Sequence, residues 1–260
     1  MKTLGSILTP FSEVSKGMRT MLFMSTIGLL ISAWGLFVPE KGTLFPSLTE
    51  VLEAWVGLWK SGLFFHILMT LKLIAFATVI SLFISTIFAY ASTVPVFQPL
   101  AVILTKLRYN PIQGFTLFIM MSVGGGRNLQ IALLVIFTSF YFINSLKHVI
   151  ESIPEEDITR RRTQKMGSWQ ILWKVAIKDR ADQWVEVVRQ NLSMMLMMIV
   201  SVEAMDKNQG GIGALIVDTN RGLNFPRVFA LQLTLLAIGI GIDLLLRRIY
   251  NSFPAQKRSR

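Results

Sequence analysis

Only two histidines, His66 and His148, occur among the 260 residues, and there is no cysteine. Thiolate catalysis, disulfides and sulfur-ligated metals are therefore excluded. Neither an HExxH zinc site nor a GxSG nucleophile turn is present. Among the aspartates only Asp243 falls inside an apolar run, near one end of it and four residues before Arg247. That spacing predicts an ion pair on one helix face, with a proton relay as the alternative. The run Gly124 to Gly126 invites a phosphate-loop reading, but it lacks the GK[ST] ending and no strand precedes it, so a tight interhelical turn is expected. Met194, Met195, Met197 and Met198 could form a methionine site, for which helix packing is the plainer account. These residue types point away from an intramembrane enzyme and call for no cofactor and no metal.

The elements that carry them are apolar. Hydrophobic residues make up 52% of the chain and charged residues 16%, and the apolar residues fall in long runs rather than in the stripe of a soluble helix. Residues 20–38 carry no charge over the length needed to cross the hydrocarbon core and are the first predicted span. The stretch 45–62 starts with Pro46 and Ser47 and spaces Val51, Leu52, Trp55, Leu58 and Trp59 as an amphipathic helix lying in the membrane interface. Residues 63–93 form the second span, interrupted only by His66 and Lys72; Lys72 either reaches a headgroup or faces a pore. Residues 100–121 form the third, with Pro111 expected to break or kink it. Residues 129–146, 184–205 and 228–246 complete an all-α polytopic membrane protein of about six transmembrane helices.

Charge orients the spans. The net charge of +11 resides in loops and tails rather than on one continuous face, which argues for anionic membrane lipids as the partner and against nucleic acid. Residues 147–182 and the tail after residue 246 hold half of the lysines and arginines, so both are expected in the cytoplasm, as is the N-terminus with Lys2, Lys16 and Arg19. The N-terminal residues are too polar for a signal peptide. The chain thus divides into a cytoplasmic segment 1–19, a membrane domain 20–250 that includes a cytoplasmic segment 153–182, and a basic tail 251–260 in a cytoplasmic (inner) membrane.

Segment 153–182 carries helix punctuation. Pro154 suits the first helical position, Glu155, Glu156 and Asp157 place negative charge at the positive end of the dipole, and Lys165 lies near the other end. Gly167 suits a left-handed residue ending a helix over 154–166, about 18 Å long at 1.5 Å per residue. Ser168 can cap a second helix with Trp169, Leu172, Trp173 and Val175. The result is a helical elbow suited to a groove on a partner; a solvated hairpin is the alternative.

Four stretches resemble the permease subunits of bacterial ABC importers, in the binding-protein-dependent group that serves nitrate, sulfonates and taurine. They are FPSLTEVLEAW from Phe45, LTKLRYNP ending at Pro111, IPEEDITRRRTQKMGSWQILWKVAI from Ile153, and VEAMDKNQGGIGALI from Val202 followed by IGIGIDLLLRRI. The resemblance implies the type I importer permease fold and an EAA-type segment that docks on a cytosolic ABC ATPase. That role falls on Glu155, Glu156, Asp157, Arg160, Arg161, Arg162, Thr163 and Gly167. Arg161, Arg162 and Thr163 stand where Glu, Ala and Ala are usual, and KDRAD replaces the usual Leu-Pro, so the motif is degenerate. It also implies that Glu203, Gly210, Gly211 and Gly213 lie near the gate and the surface met by an extracytoplasmic substrate-binding protein; a glycine-rich turn with a buried capping carboxylate is the other reading. A second permease copy or similar chain is the implied partner in the membrane, and the solute is expected to be a small anion such as nitrate, a sulfonate or taurine. A permease for an amino acid or osmolyte, or a membrane scaffold without an energy source, remain the alternatives, and copurification of an ATPase separates the scaffold from the rest.

Overall fold

A computed structural model describes residues 15–38 and 45–252, and within these the protein is helical throughout. Most of the predicted segment 1–19 and the tail from residue 253 lie outside the described residues. In chain order the helices are α1 (Lys16–Phe37), α2 (Leu48–Lys60), α3 (Leu63–Ala91), α4 (Gln98–Lys106), α5 (Thr116–Val123), α6 (Arg127–Glu151), α7 (Glu155–Thr163), α8 (Ser168–Ile171), α9 (Ala181–Met205), α10 (Ile212–Arg221) and α11 (Phe225–Ser252). Five of them, α1, α3, α6, α9 and α11, are long and apolar enough to cross a membrane.

The starts are locally encoded. Ser47 and Glu50 close a capping box on α2, Glu50 Oε2 accepting from the Ser47 N–H at 2.9 Å. Val51 and Leu58 of this helix are buried, and Trp55 Nε1 donates to Thr234 Oγ1 of α11 at 3.1 Å. The helix α1 is exposed along nearly all its length; its Trp34 donates to Pro46 O at 3.1 Å and meets Phe229 at 5.9 Å between ring centroids.

The core is built on α3 and α6. Ala77, Ser81, Ser85 and Ala89 recur every four residues on one face of α3 and are all buried, the small-residue spacing that lets helices approach closely in lipid. Ser81 Oγ meets Thr138 Oγ1 at 2.5 Å, and Ser85 Oγ donates to Ser139 O at 3.0 Å, so the two helices advance in step and are parallel. The helix α9 runs the other way: Thr70 meets Glu203, Thr78 meets Met195, and Asn191 meets Ser145. The bundle therefore has an elbow end, where α3 and α6 finish, and a glycine-loop end, where they begin.

Parallel packing has a consequence for the third predicted span. The chain leaves α3 at the elbow end and must re-enter α6 at the glycine-loop end, so residues 92–126 cross back. They do so without a continuous helix, which corrects the expectation of one span over 100–121. After α4, turns of 3-10 helix at Leu107–Tyr109 and Ile112–Phe115 flank Pro111, and α5 follows. The cause is Pro111, whose missing N–H would have bonded the carbonyl of Leu107; the Asn110 N–H takes that carbonyl instead at 3.0 Å in a tighter turn. The expected break is thus present, and among the described residues five long apolar helices are joined by one broken segment that returns the chain from the elbow end to the glycine-loop end.

Candidate functional site

At the glycine-loop end, Glu203 lies in the last turn of α9 and is fully buried. Its Oε1 accepts from Thr70 Oγ1 of α3 at 2.8 Å, and its Oε2 accepts from the Gly213 N–H in the first turn of α10 at 2.7 Å. Thr70 Oγ1 accepts in turn from the Ile212 N–H at 2.9 Å, so two of the amides that lack an intrahelical partner at the start of α10 are satisfied by side chains of other helices. The carboxylate sits against the positive end of that helix and needs no cation in hydrogen-bond contact. His66 Nδ1 lies 3.1 Å from the Gly211 nitrogen and 3.2 Å from the Gly211 carbonyl oxygen, accepting from the first or donating to the second according to the tautomer.

The glycines are dictated by this carboxylate. Gly211 has φ 123°, and a Cβ there would run into the Glu203 side chain. At Gly213 a Cβ would stand 2.6 Å from Val200 Cα. The sequence-predicted set Glu203, Gly211 and Gly213 is therefore brought together, with the carboxylate acting as a cap.

Four residues that the sequence reading left unassigned complete the cluster. Gln130 Nε2 donates to Asp206 O at 3.0 Å, while Arg127 donates to Gln130 Oε1 at 2.9 Å and to Gln209 O at 2.8 Å. These side chains, with Thr70, tie the start of α3, the start of α6 and the end of α9 to one loop. A visible signal existed, since Arg127 and Gln130 open an apolar run three residues apart, but their carbonyl partners are about 80 residues away in sequence. Lys207 pairs with Asp218 across the same loop.

At the opposite end the elbow is present with altered bounds. The helix α7 covers Glu155–Thr163, shorter than the expected 154–166, and Pro154 precedes it in an extended conformation instead of occupying the first helical position. The left-handed residue is Lys165, with φ 58°, and not Gly167, which is extended at φ −67° and ψ 153°. The reversal comes two residues early because the Lys165 N–H closes on Arg162 O at 2.9 Å and the Met166 N–H on Arg161 O at 3.3 Å. Gly167, not Ser168, then stands before α8, its N–H donating to Gln170 Oε1 at 3.2 Å.

From α8 the chain continues into a π-helical stretch, Leu172–Lys178, a wide coil that sequence periodicity does not reveal. Arg161 pairs with Asp179 at 3.2 Å and so braces α7 against this second limb. Tyr90 Oη donates to Ala176 O at 3.3 Å, fixing the limb to the end of α3. Glu155, Glu156, Arg160, Arg162 and Thr163 remain exposed on α7, and Asp157 is half-buried.

Asp243 corrects another expectation. Its carboxylate meets Arg189 Nη1 of α9 at 3.0 Å rather than Arg247 on its own helix. Arg189 also holds Glu186 through two hydrogen bonds of 2.6 and 2.8 Å. Arg189 and Asp243 line a cleft of about 750 Å³ between α9 and α11, whose walls also include Ser193, Ser201 and Gln232. The expected packing role of the methionines holds for Met195 and Met198, which are buried, while Met197 is exposed at this cleft. Among the described residues no cluster of His, Cys, Asp or Glu could hold a metal ion.

Two comparisons bear on this arrangement. A family model described as "binding-protein-dependent transport system inner membrane component" matches residues 69–253, from within α3 to just past α11. The comparison with curated proteins gave no match.

Proposed function

Because this chain belongs to the family of binding-protein-dependent transport system inner membrane components, and so is the permease component of an ABC transporter, we propose a specific division of labour for its two ends. The elbow end is cytoplasmic and receives the ATPase subunits on α7. The glycine-loop end faces outward, where a substrate-binding protein delivers solute next to the Glu203 cap. A second permease chain completes the pathway in a cytoplasmic membrane.

The observation that carries this reading is the elbow. It is a short helix held out beyond the ends of α6 and α9, braced by Arg161 and Asp179, within the stretch that the family covers. A preformed helix loses little entropy on docking. The basic excess of residues 147–182 supports the cytoplasmic side for that end. The exposed Arg162, which stands where the motif usually has alanine, and the exposed Arg160 suit an ATPase cleft with added negative charge. The solute we propose is a small anion of the nitrate, sulfonate or taurine type, on the resemblance of the FPSLTEVLEAW and VEAMDKNQGGIGALI stretches.

The test is reconstitution of the chain with the ATPase and binding protein from its own genomic neighbourhood, followed by ATP-driven uptake of those three solutes. Uptake of at least one is expected. Uptake of an amino acid or osmolyte alone would replace the solute, and failure of any ATPase to copurify would remove the coupling role.

A further inference from the structure

On the elbow side, between α7, the second limb and the ends of α3 and α6, lies a cleft of about 390 Å³ of which the transport reading uses only Arg162. Its walls are aliphatic: Val94 just after α3, Ile150 and Ile153 at the end of α6, Ile158 of α7 and Leu172 of the second limb. Among the described residues it has one charged lining residue, Arg162. That guanidinium is exposed and has no hydrogen-bond or ion-pair partner among the described residues. Trp169 lines the opening and is 73% exposed; Trp173, four residues on, is 65% exposed.

Position and charge select the occupant. The cleft opens where the apolar helices α3 and α6 end, and two exposed tryptophans suit the boundary between acyl chains and headgroups. Lys165 and Lys174 are exposed beside the tryptophans and, like Arg162, are without a carboxylate partner among the described residues. Of the acids around the elbow, Glu151 is engaged by Lys147 and Asp179 by Arg161. An aliphatic cleft with one free guanidinium at its rim fits an amphiphile carrying a phosphate, which the planar fork of arginine can hold by two hydrogen bonds. We propose that this cleft is a binding site for one anionic phospholipid of the elbow-side leaflet, the acyl chain lying along Ile150, Ile153 and Leu172 and the phosphate at Arg162. The site shares Arg162 with the proposed ATPase contact, while its aliphatic walls lie on the side of α7 turned towards α3 and α6.

The full chain, placed in phosphatidylcholine nanodiscs doped with brominated phosphatidylglycerol or with brominated phosphatidylcholine, reports the site through tryptophan quenching. Subtracting the W169F/W173F variant isolates these two rings from the other four tryptophans. The expected result is quenching at about fivefold lower mole fraction of the anionic lipid, the preference that one basic side chain confers near an anionic surface. Arg162→Gln should bring the two lipids together, and Arg162→Lys should restore part of the difference. Equal quenching by both lipids in the native chain overturns the proposal, as does a preference that survives Arg162→Gln. Absence of quenching by either, with the rings shielded only when the ATPase subunit is added, would assign the face to that protein.

Discussion

Glu203 illustrates how a carboxylate can be buried at the edge of a membrane protein without a cation to pair it. Thr70 and the first turn of α10 supply the hydrogen bonds, and Gly211 and Gly213 exist because the carboxylate and Val200 occupy the space a Cβ would need. Glu203→Ala would leave the Thr70 hydroxyl and the Gly213 amide buried without an acceptor and is expected to cost about 3 kcal/mol. Glu203→Gln keeps an acceptor oxygen and should cost about 1 kcal/mol. Denaturant unfolding of the purified chain in lipid measures both, and equal costs would show that the hydrogen bonds are not what matters. At the elbow the roles of two residues exchange relative to the sequence reading. Gly167 is extended and a Cβ there meets nothing nearer than Gln170 Oε1 at 4.0 Å, so Gly167→Ala should be neutral in stability and uptake. Lys165 carries the left-handed conformation, and Lys165→Gly should stabilise by up to about 1 kcal/mol, whereas Lys165→Val should disorder the elbow. Loss of uptake in Gly167→Ala with Lys165→Val unaffected would reverse this assignment.

Between elements, the parallel pairing of α3 and α6 decides the path of the chain. It rests on small residues and on hydroxyls that bond across the seam, at Ser81 and Thr138 and at Ser85 and Ser139. The broken segment around Pro111 must then cross, and Thr93 and Gly125 should lie on opposite sides of the membrane. Because the chain has no cysteine, Thr93→Cys and Gly125→Cys are unique labels, and an impermeant thiol reagent added from one side should react with only one of them. Reaction of both from the same side would mean that residues 92–126 form a re-entrant loop. Across the contact between α9 and α11, Arg189 pairs with both Glu186 of its own helix and Asp243 of α11. Arg189→Ala leaves two acids facing each other; with side chains about a third exposed the cost is discounted to about 1 kcal/mol. The expected sign is a lower midpoint in thermal unfolding, partly recovered in Asp243→Asn/Arg189→Ala. A double variant less stable than Arg189→Ala alone would show that the charges do not couple.

For the whole molecule, the proposed function has the elbow end meet the ATPase and the glycine-loop end, where Glu203 caps α10, meet the binding protein. Arg160→Glu is expected to weaken ATPase copurification several-fold at low salt and much less at high salt, since the contact is a screened charge interaction on an exposed helix. A loss that is independent of salt would point to packing instead. How much of this could be read beforehand follows the range of the forces involved. Membrane placement, the five long apolar helices, the capped start of α2, the break at Pro111 and the existence of an elbow were legible in the amino-acid sequence. Each depends on the side chains of one continuous stretch and on its own backbone groups: apolar length, a capping box, a missing N–H, a run of charge. The partners of Glu203, Arg189 and Arg127, the parallel seam, the left-handed turn at Lys165 and the cleft beside Arg162 were decided only in the tertiary structure. Buried charges and unpaired amides accept whatever partner packing brings within about 3 Å, and those partners come from helices between tens and more than a hundred residues apart in the chain.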